Sequence, residues 1–215
     1  MRVKTSRLLI TVAFLGLAAC AGTDVNQFAI PTGQLQPGEI EMQSYGHVNL
    51  AARNFDVVNQ DLSAEQNTGI AGKVDPMPVD ILSRYASQKF TAIGGYYNAR
   101  FVIQQAQFQV RSVPNNDDAI SKLFEGENQA EMTATISVML TASRQDGVSE
   151  SITANTSQVQ RVNFNATPDA RRQAYMDLMK KAVDALDGEI TKQIPAYFND
   201  VAMGNVPAPI TAPQR

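Results

Sequence analysis
Glu131-Met132-Thr133-Ala134-Thr135-Ile136-Ser137-Val138-Met139-Leu140-Thr141-Ala142 is the stretch from which the fold can be read. Met132, Ala134, Ile136, Val138, Leu140 and Ala142 share one parity. Glu131, Thr133, Thr135, Ser137 and Thr141 share the other. Successive side chains of a strand point to opposite faces, so this alternation predicts a strand with one apolar and one polar side. The apolar side needs a covering layer.

Downstream, Asp146-Gly147 is a strong hairpin signal. Val148 to Phe164 returns as a Ser/Thr/Asn-rich strand suited to a sheet edge. Thr167-Pro168-Asp169 then starts a helix, with Thr167 as N-cap and Pro168 at the first position. Tyr175, Leu178, Ala182, Leu186, Ile190 and Ile194 form its apolar stripe, with Met179 and Ala185 beside it. The helix should run toward Phe198, with Pro195 kinking or ending it.

Upstream, Pro114 to Gln129 is polar and acidic, turning at Asn115-Asn116-Asp117-Asp118. Ile120, Leu123 and Phe124 allow one helical turn there. Ala99 to Val113 is a strand whose apolar parity slips at Gln104-Gln105, which predicts a bulge. Asp75-Pro76-Met77-Pro78 predicts a helix start with Asp75 as cap. The helix should reach about Ile93, with Leu82, Tyr85, Ala86, Phe90 and Ile93 on one face and Gly94-Gly95 as terminator. Asp61 to Val74 reads as loop. His47 to Asn59 reads as the first strand, with a phase slip near Arg53-Asn54. The order is β-α-β-β-β-α. Two amphipathic helices sharing one apolar sheet face make an α+β two-layer sandwich, with a mostly antiparallel four-stranded sheet. Gln107, Gln109, Thr133, Thr135, Ser137 and Thr141 fall on the open face.

Met1 to Cys20 has a different logic. Arg2, Lys4 and Arg7 precede a charge-free apolar run from Leu8 to Ala19, and Leu17-Ala18-Ala19-Cys20 closes it. The run is shorter than the ~20 residues a spanning helix needs and fits a secretory leader. Cys20 is the sole cysteine, so it has no disulfide partner within the chain. The pattern reads as a lipobox, with cleavage between Ala19 and Cys20 and lipidation of Cys20. An ordinary signal peptide leaving a free thiol, or an uncleaved anchor, is the competing reading. Stable anchoring takes more than one acyl chain. Resemblance to bacterial lipoproteins implies a diacylglyceryl group, usually with an N-acyl chain. Their sorting rule implies that Ala21, standing where Asp would retain the protein in the inner membrane, addresses it to the periplasmic side of the outer membrane.

The expected organisation is a signal peptide over 1–19, a lipidated flexible linker over 20–44, one domain over 45–203 and a disordered Pro-rich tail over 204–215. A body of ~150 ordered residues buries close to 70% of its unfolded surface, so it can form a core without disulfides. The 215-residue chain has 18 Lys and Arg against 21 Asp and Glu, a net charge of −3. Arg2, Lys4 and Arg7 leave with the leader, which makes the mature charge −6. Nucleic acid is therefore a poor partner.

The lipobox, the linker and the β-α-β-β-β-α order resemble ABC-type transport auxiliary lipoproteins and the lipopolysaccharide-assembly lipoprotein that plugs an outer-membrane barrel. Arg84-Tyr85-Ala86-Ser87-Gln88-Lys89-Phe90-Thr91-Ala92-Ile93-Gly94-Gly95, running into Ala99-Arg100-Phe101-Val102-Ile103, is similar to uncharacterised lipoproteins of alphaproteobacteria. The resemblance covers element order over about residues 45–200, and this chain lacks the Trp of the best-known members. It implies an envelope partner, a barrel or an ABC-type transporter component, and supplies no catalytic residues.

No catalytic constellation stands out. His47 is the only histidine and has no Cys or His companion for a metal, so it reads as an ordinary strand-end residue. Asp117, Asp118, Glu125 and Glu127 match no EF-hand spacing. Arg171-Arg172 and Lys180-Lys181 read as a solvated helix face before they read as headgroup contacts. Tyr96-Tyr97 reads as turn packing, and Asn155-Thr156-Ser157 and Asn165-Ala166-Thr167 as coincidental glycosylation patterns. No metal, cofactor or enzymatic activity is expected. The leading expectation is a lipid-anchored accessory of an outer-membrane transport or assembly machine. The alternative is a periplasmic lipid- or glycolipid-binding module, which predicts an apolar cavity between helices and sheet. A hydrolase of envelope polymers is the remaining reading and lacks a nucleophile–base pair.

Overall fold
The computed structural model describes residues 28–30, 45–61, 74–113 and 129–202. The leader, Cys20, the 62–73 loop, the acidic 114–128 stretch with its four carboxylates, and the tail after Ala202 lie outside the described residues. The elements are β1 (Val48–Asn59), α1 (Pro78–Lys89), β2 (Phe90–Val113), β3 (Gln129–Arg144), β4 (Ser149–Asn163), α2 (Pro168–Tyr197) and a short α3 (Asn199–Ala202). The sheet order is β1-β2-β3-β4. β1 and β2 are parallel, and the other two pairs are antiparallel. A parallel pair cannot be closed by a hairpin, and α1 supplies the crossover. The architecture is the α+β sandwich expected from the alternation of β3.

The even positions of β3, from Ala130 to Ala142, are buried under the helices. Phe101, Ile103, Ala106 and Phe108 of β2 join them, with Ile152 and Ala154 of β4. From α2 come Tyr175, Leu178, Met179, Ala182, Leu186 and Ile190. Phe108 meets Tyr175 edge-on at 4.9 Å between ring centroids. Each large side chain buried there contributes roughly 1.5–3 kcal/mol.

Both phase slips in the sequence are register irregularities in the sheet. β1 slips against β2 between Leu50 and Asn54, and β2 slips against β3 between Ile103 and Gln105. Gln104 is the extra residue of the second bulge. Just past it, the buried carboxylate of Asp61 accepts the main-chain N–H of Ala106 at 2.6 Å. The second residue beyond β1 thereby closes the gap that the bulge opens in the ladder.

The junction of α1 and β2 differs from the expected arrangement. α1 ends at Lys89, not near Ile93, and β2 begins at the next residue. Phe90, Thr91 and Ala92 pair with Val48, Asn49 and Leu50 of β1, so tertiary pairing wins over the helical stripe. Phe90 is buried as a strand residue and Ile93 is exposed. Gly94 and Gly95 do not end a helix. They form the bulge at which β2 crosses Ala51, with φ of +92° and +144°. A Cβ on Gly95 would stand 2.2 Å from the Ala51 carbonyl oxygen, so only glycine fits that crossing.

Smaller differences follow the same pattern. Met77, not Asp75, is the N-cap of α1, and it makes no side-chain capping bond. Thr167 caps α2 as expected, accepting from the Ala170 N–H. Pro195 lies inside α2, which closes two residues later. Ala185 faces solvent, while Ala174, Met176 and Val183 are buried on α2. The expected linker over 20–44 does not hold as free chain throughout. Phe28 is fully buried and Ile30 nearly so, against Phe164 and the start of α2.

Candidate functional site
Three features outside the apolar core could carry function: a buried polar network, a groove beside it and the open sheet face.

The network joins α1, α2 and the chain leading into β1. Lys89 closes the helical spacing Leu82, Tyr85, Ala86, so its stem runs into the core and its side chain is only 3% exposed. Burying an unpaired cation is prohibitive, and Lys89 is fully partnered. It forms an ion pair with Asp187 and donates to the Tyr45 carbonyl at 2.8 Å and to Thr191 Oγ1 at 3.2 Å. Tyr85 also donates to Asp187, at 2.8 Å, and Tyr45 donates to Asp184 at 2.6 Å. Burial, helped by the Asp187 charge, holds the Tyr85 phenol protonated far above its usual range. Burial and the bond to Asp184 do the same for Tyr45. These phenols are donors, not bases. The network fastens two helices to the approach of β1 and has the chemistry of a structural clamp. Its signal was present in the sequence as a lysine at stripe spacing.

The groove has a volume of about 370 Å³ and is lined by His47, Val48, Asn49, Thr191, Ile194, Pro195 and Ala202. It lies at the margin of the sandwich, between the start of the edge strand β1 and the end of α2. His47 borders it, and its Nδ1 lies 3.3 Å from the Lys89 carbonyl oxygen. Among the described residues no group of three or more His, Cys, Asp or Glu side chains is placed to hold a metal.

The open face carries Gln107, Thr133, Thr135, Ser137 and Thr141 as expected, with Asn155 and Ser157 from β4 beside them. Two features were not anticipated. Val58, Val102 and Met139 form an apolar row across three strands, and Val102 is buried there. Nearer the other end, Arg111, Glu131 and Arg161 are cross-strand neighbours. Glu131 accepts from Arg111 Nε at 2.6 Å and from Arg161 Nε at 3.0 Å. The Arg161 bond, then the Arg111 bond and both charges, outweigh burial and hold the Glu131 carboxyl below its usual range. The trio leaves a net positive spot on the open face, which also carries the cross-strand pair Asp56 and Arg100. At the β4 edge, Gln193 of α2 donates to the Thr153 carbonyl at 3.0 Å, which covers part of the edge.

The remaining residues singled out in the sequence separate clearly. Arg171 and Arg172 are not a plain solvated pair. Arg171 donates to the carbonyls of Ala166 at 2.9 Å and Ala29 at 3.0 Å, and Arg172 donates to that of Asp75 at 3.0 Å. Lys180 pairs with Asp184 one helical turn on, and Lys181 donates to Gln160. Tyr97 packs inside beneath the Arg144 guanidinium, whereas Tyr96 is exposed. No described helix is long and apolar enough to cross a membrane.

The chain matches no protein-family profile and no curated protein. Among solved structures it is similar to a minor lipoprotein of Acinetobacter baumannii, at 12% identity and a TM-score of 0.33, over 71% of this chain and 96% of that one. It is also similar to a Xanthomonas campestris protein of the DUF330 family, at 12% identity and a TM-score of 0.29, over 77% and 96%. Similarity of this order is too low to transfer a fold or a function.

Proposed function
We propose that the chain is a non-enzymatic lipoprotein, anchored through Cys20 to the periplasmic side of the bacterial outer membrane. There it acts as an accessory of a transport or assembly machine. The observation that carries this is Leu17-Ala18-Ala19-Cys20, placed after a basic, then charge-free, apolar leader and holding the sole cysteine. The fold supports it in what it presents. The sheet leaves one face of hydroxyls and amides uncovered by any described element, and β4 offers an edge strand. Both are surfaces through which a protein partner, a barrel or an ABC-type transporter component, can dock by hydrogen bonding or strand addition.

Photo-crosslinkers placed at Gln107, Thr135 and Ser157 in intact cells test the docking role. Capture of one discrete envelope protein from these positions, but not from exposed positions on α2, is the expected outcome. Equal and diffuse labelling from both sets would overturn it.

A further inference from the structure
Phe28, the first described residue, is part of the body. Its ring is fully buried, 5.5 Å from the Phe164 ring on one side and 4.8 Å from the Arg171 guanidinium on another. Arg171 also donates to the Ala29 carbonyl at 3.0 Å, and Ile30 is buried beside them. Aromatic stacking, a cation–π contact and a main-chain hydrogen bond thus converge on three residues.

The position of this socket matters. β2 and β4 finish at the same end of the sheet, β3 starts there, and α2 begins there at Pro168. Phe164 and Arg171 are therefore at one pole. The Asp146-Gly147 hairpin, the Gly94-Gly95 bulge and α3 are at the other. The two poles are separated by β3, 16 residues or about 50 Å long, and by α2, 30 residues or about 45 Å long.

We propose that Phe28–Ile30 is a docking strap that shortens the membrane leash and points this pole at the bilayer. The proposal rests on lipidation of Cys20. From Cys20 to Phe28 is eight steps, which reach at most about 26–29 Å fully extended. Were the leash free as far as Tyr45, its twenty-five steps would reach about 83–90 Å, longer than the body, and any face could approach the lipid. With the strap seated, the leash is shorter than the body. The Phe164–Arg171 pole faces the headgroups, and the hairpin pole projects into the periplasm.

The test uses the full lipidated protein in vesicles carrying a headgroup-linked energy-transfer acceptor. A single donor is attached at Asn165→Cys or at Gln145→Cys, two exposed positions at opposite poles. Cys20 is acylated and does not react. At least roughly twofold more transfer from position 165 than from 145 is expected, given the pole separation against the leash length. Adding Phe28→Ser and Arg171→Ala should erase the difference while the protein stays in the vesicle fraction. Equal transfer from the two positions in the otherwise unaltered, lipidated protein overturns the strap. An unmodified Cys20 by intact mass, with protein absent from the vesicles, overturns the lipoprotein reading instead.

Discussion

Replacing Gly95 with alanine should be far more damaging than the same change at its neighbour. Both glycines have positive φ, +92° at Gly94 and +144° at Gly95, so both substitutions strain the backbone. Such strain costs about 1–3 kcal/mol. At Gly94 nothing lies within 4 Å of the added methyl. At Gly95 the methyl would meet the Ala51 oxygen at 2.2 Å and the Ala51 carbonyl carbon at 2.5 Å. Both are main-chain atoms of β1, so relief requires parting the two strands. Leu50, Ala52 and Phe90, buried around this crossing, would lose contacts as they separate. A forced misfit of this kind adds roughly 1–3 kcal/mol to the strain. Gly95→Ala should therefore cost roughly 3–5 kcal/mol and Gly94→Ala about 1–2. For a domain of this size each kcal/mol moves Tm by about 2–4 °C, so Gly95→Ala should lower it by about 6–20 °C and Gly94→Ala by a few degrees. Thermal unfolding of the two purified variants by circular dichroism measures this directly. If Gly95→Ala melts no lower than Gly94→Ala, β2 does not cross Ala51 in the manner described.

Asp61→Ala removes the buried carboxylate that takes the Ala106 N–H, and denaturant unfolding should show a loss of about 1–3 kcal/mol, with Asp61→Asn milder. Lys89→Ala leaves Asp187 without its cation and should cost roughly 3–5 kcal/mol; in a double-mutant cycle, Lys89→Ala with Asp187→Ala should cost clearly less than the sum of the two. Glu131 has a lowered folded pKa, so its contribution is complete above the ordinary carboxyl range and is lost as pH falls through the lowered value. Glu131→Gln should therefore flatten the acid limb of the stability–pH curve, and an unchanged limb would contradict the pairing. Glu150 is the reverse case: burial, then the nearby Asp200 charge, raises its pKa, and its Oε2 is buried without a partner among the described residues. Its penalty appears as pH rises through the unfolded and then the folded pKa, so Glu150→Gln should raise Tm at neutral pH and leave it unchanged in acid.

The parts of this fold that the sequence reveals are those set by local periodicity. The twelve residues around Ile136 announce the apolar face, the parity slips announce both bulges, and Thr167-Pro168 announces α2. What stayed hidden depends on contacts between distant segments. Phe90 to Ile93 continue a helical stripe, yet they join the sheet because β1 offers main-chain partners. Gly94-Gly95 has the look of a helix end, and only the proximity of Ala51 shows its use as a crossing point. Phe28 sits in a polar stretch broken by prolines, and nothing nearby in sequence hints at Phe164 and Arg171. The polar network was half legible. Lys89 at stripe spacing signals a buried cation, but its anion lies on a helix 98 residues away, at Asp187.

One measurement bears most directly on the whole account: the intact mass of the protein extracted from its native membranes. A chain that begins at Cys20 and carries a diacylglyceryl group, with or without an N-acyl chain, is the predicted species. A free thiol at Cys20, or residues 1–19 still attached, would contradict it.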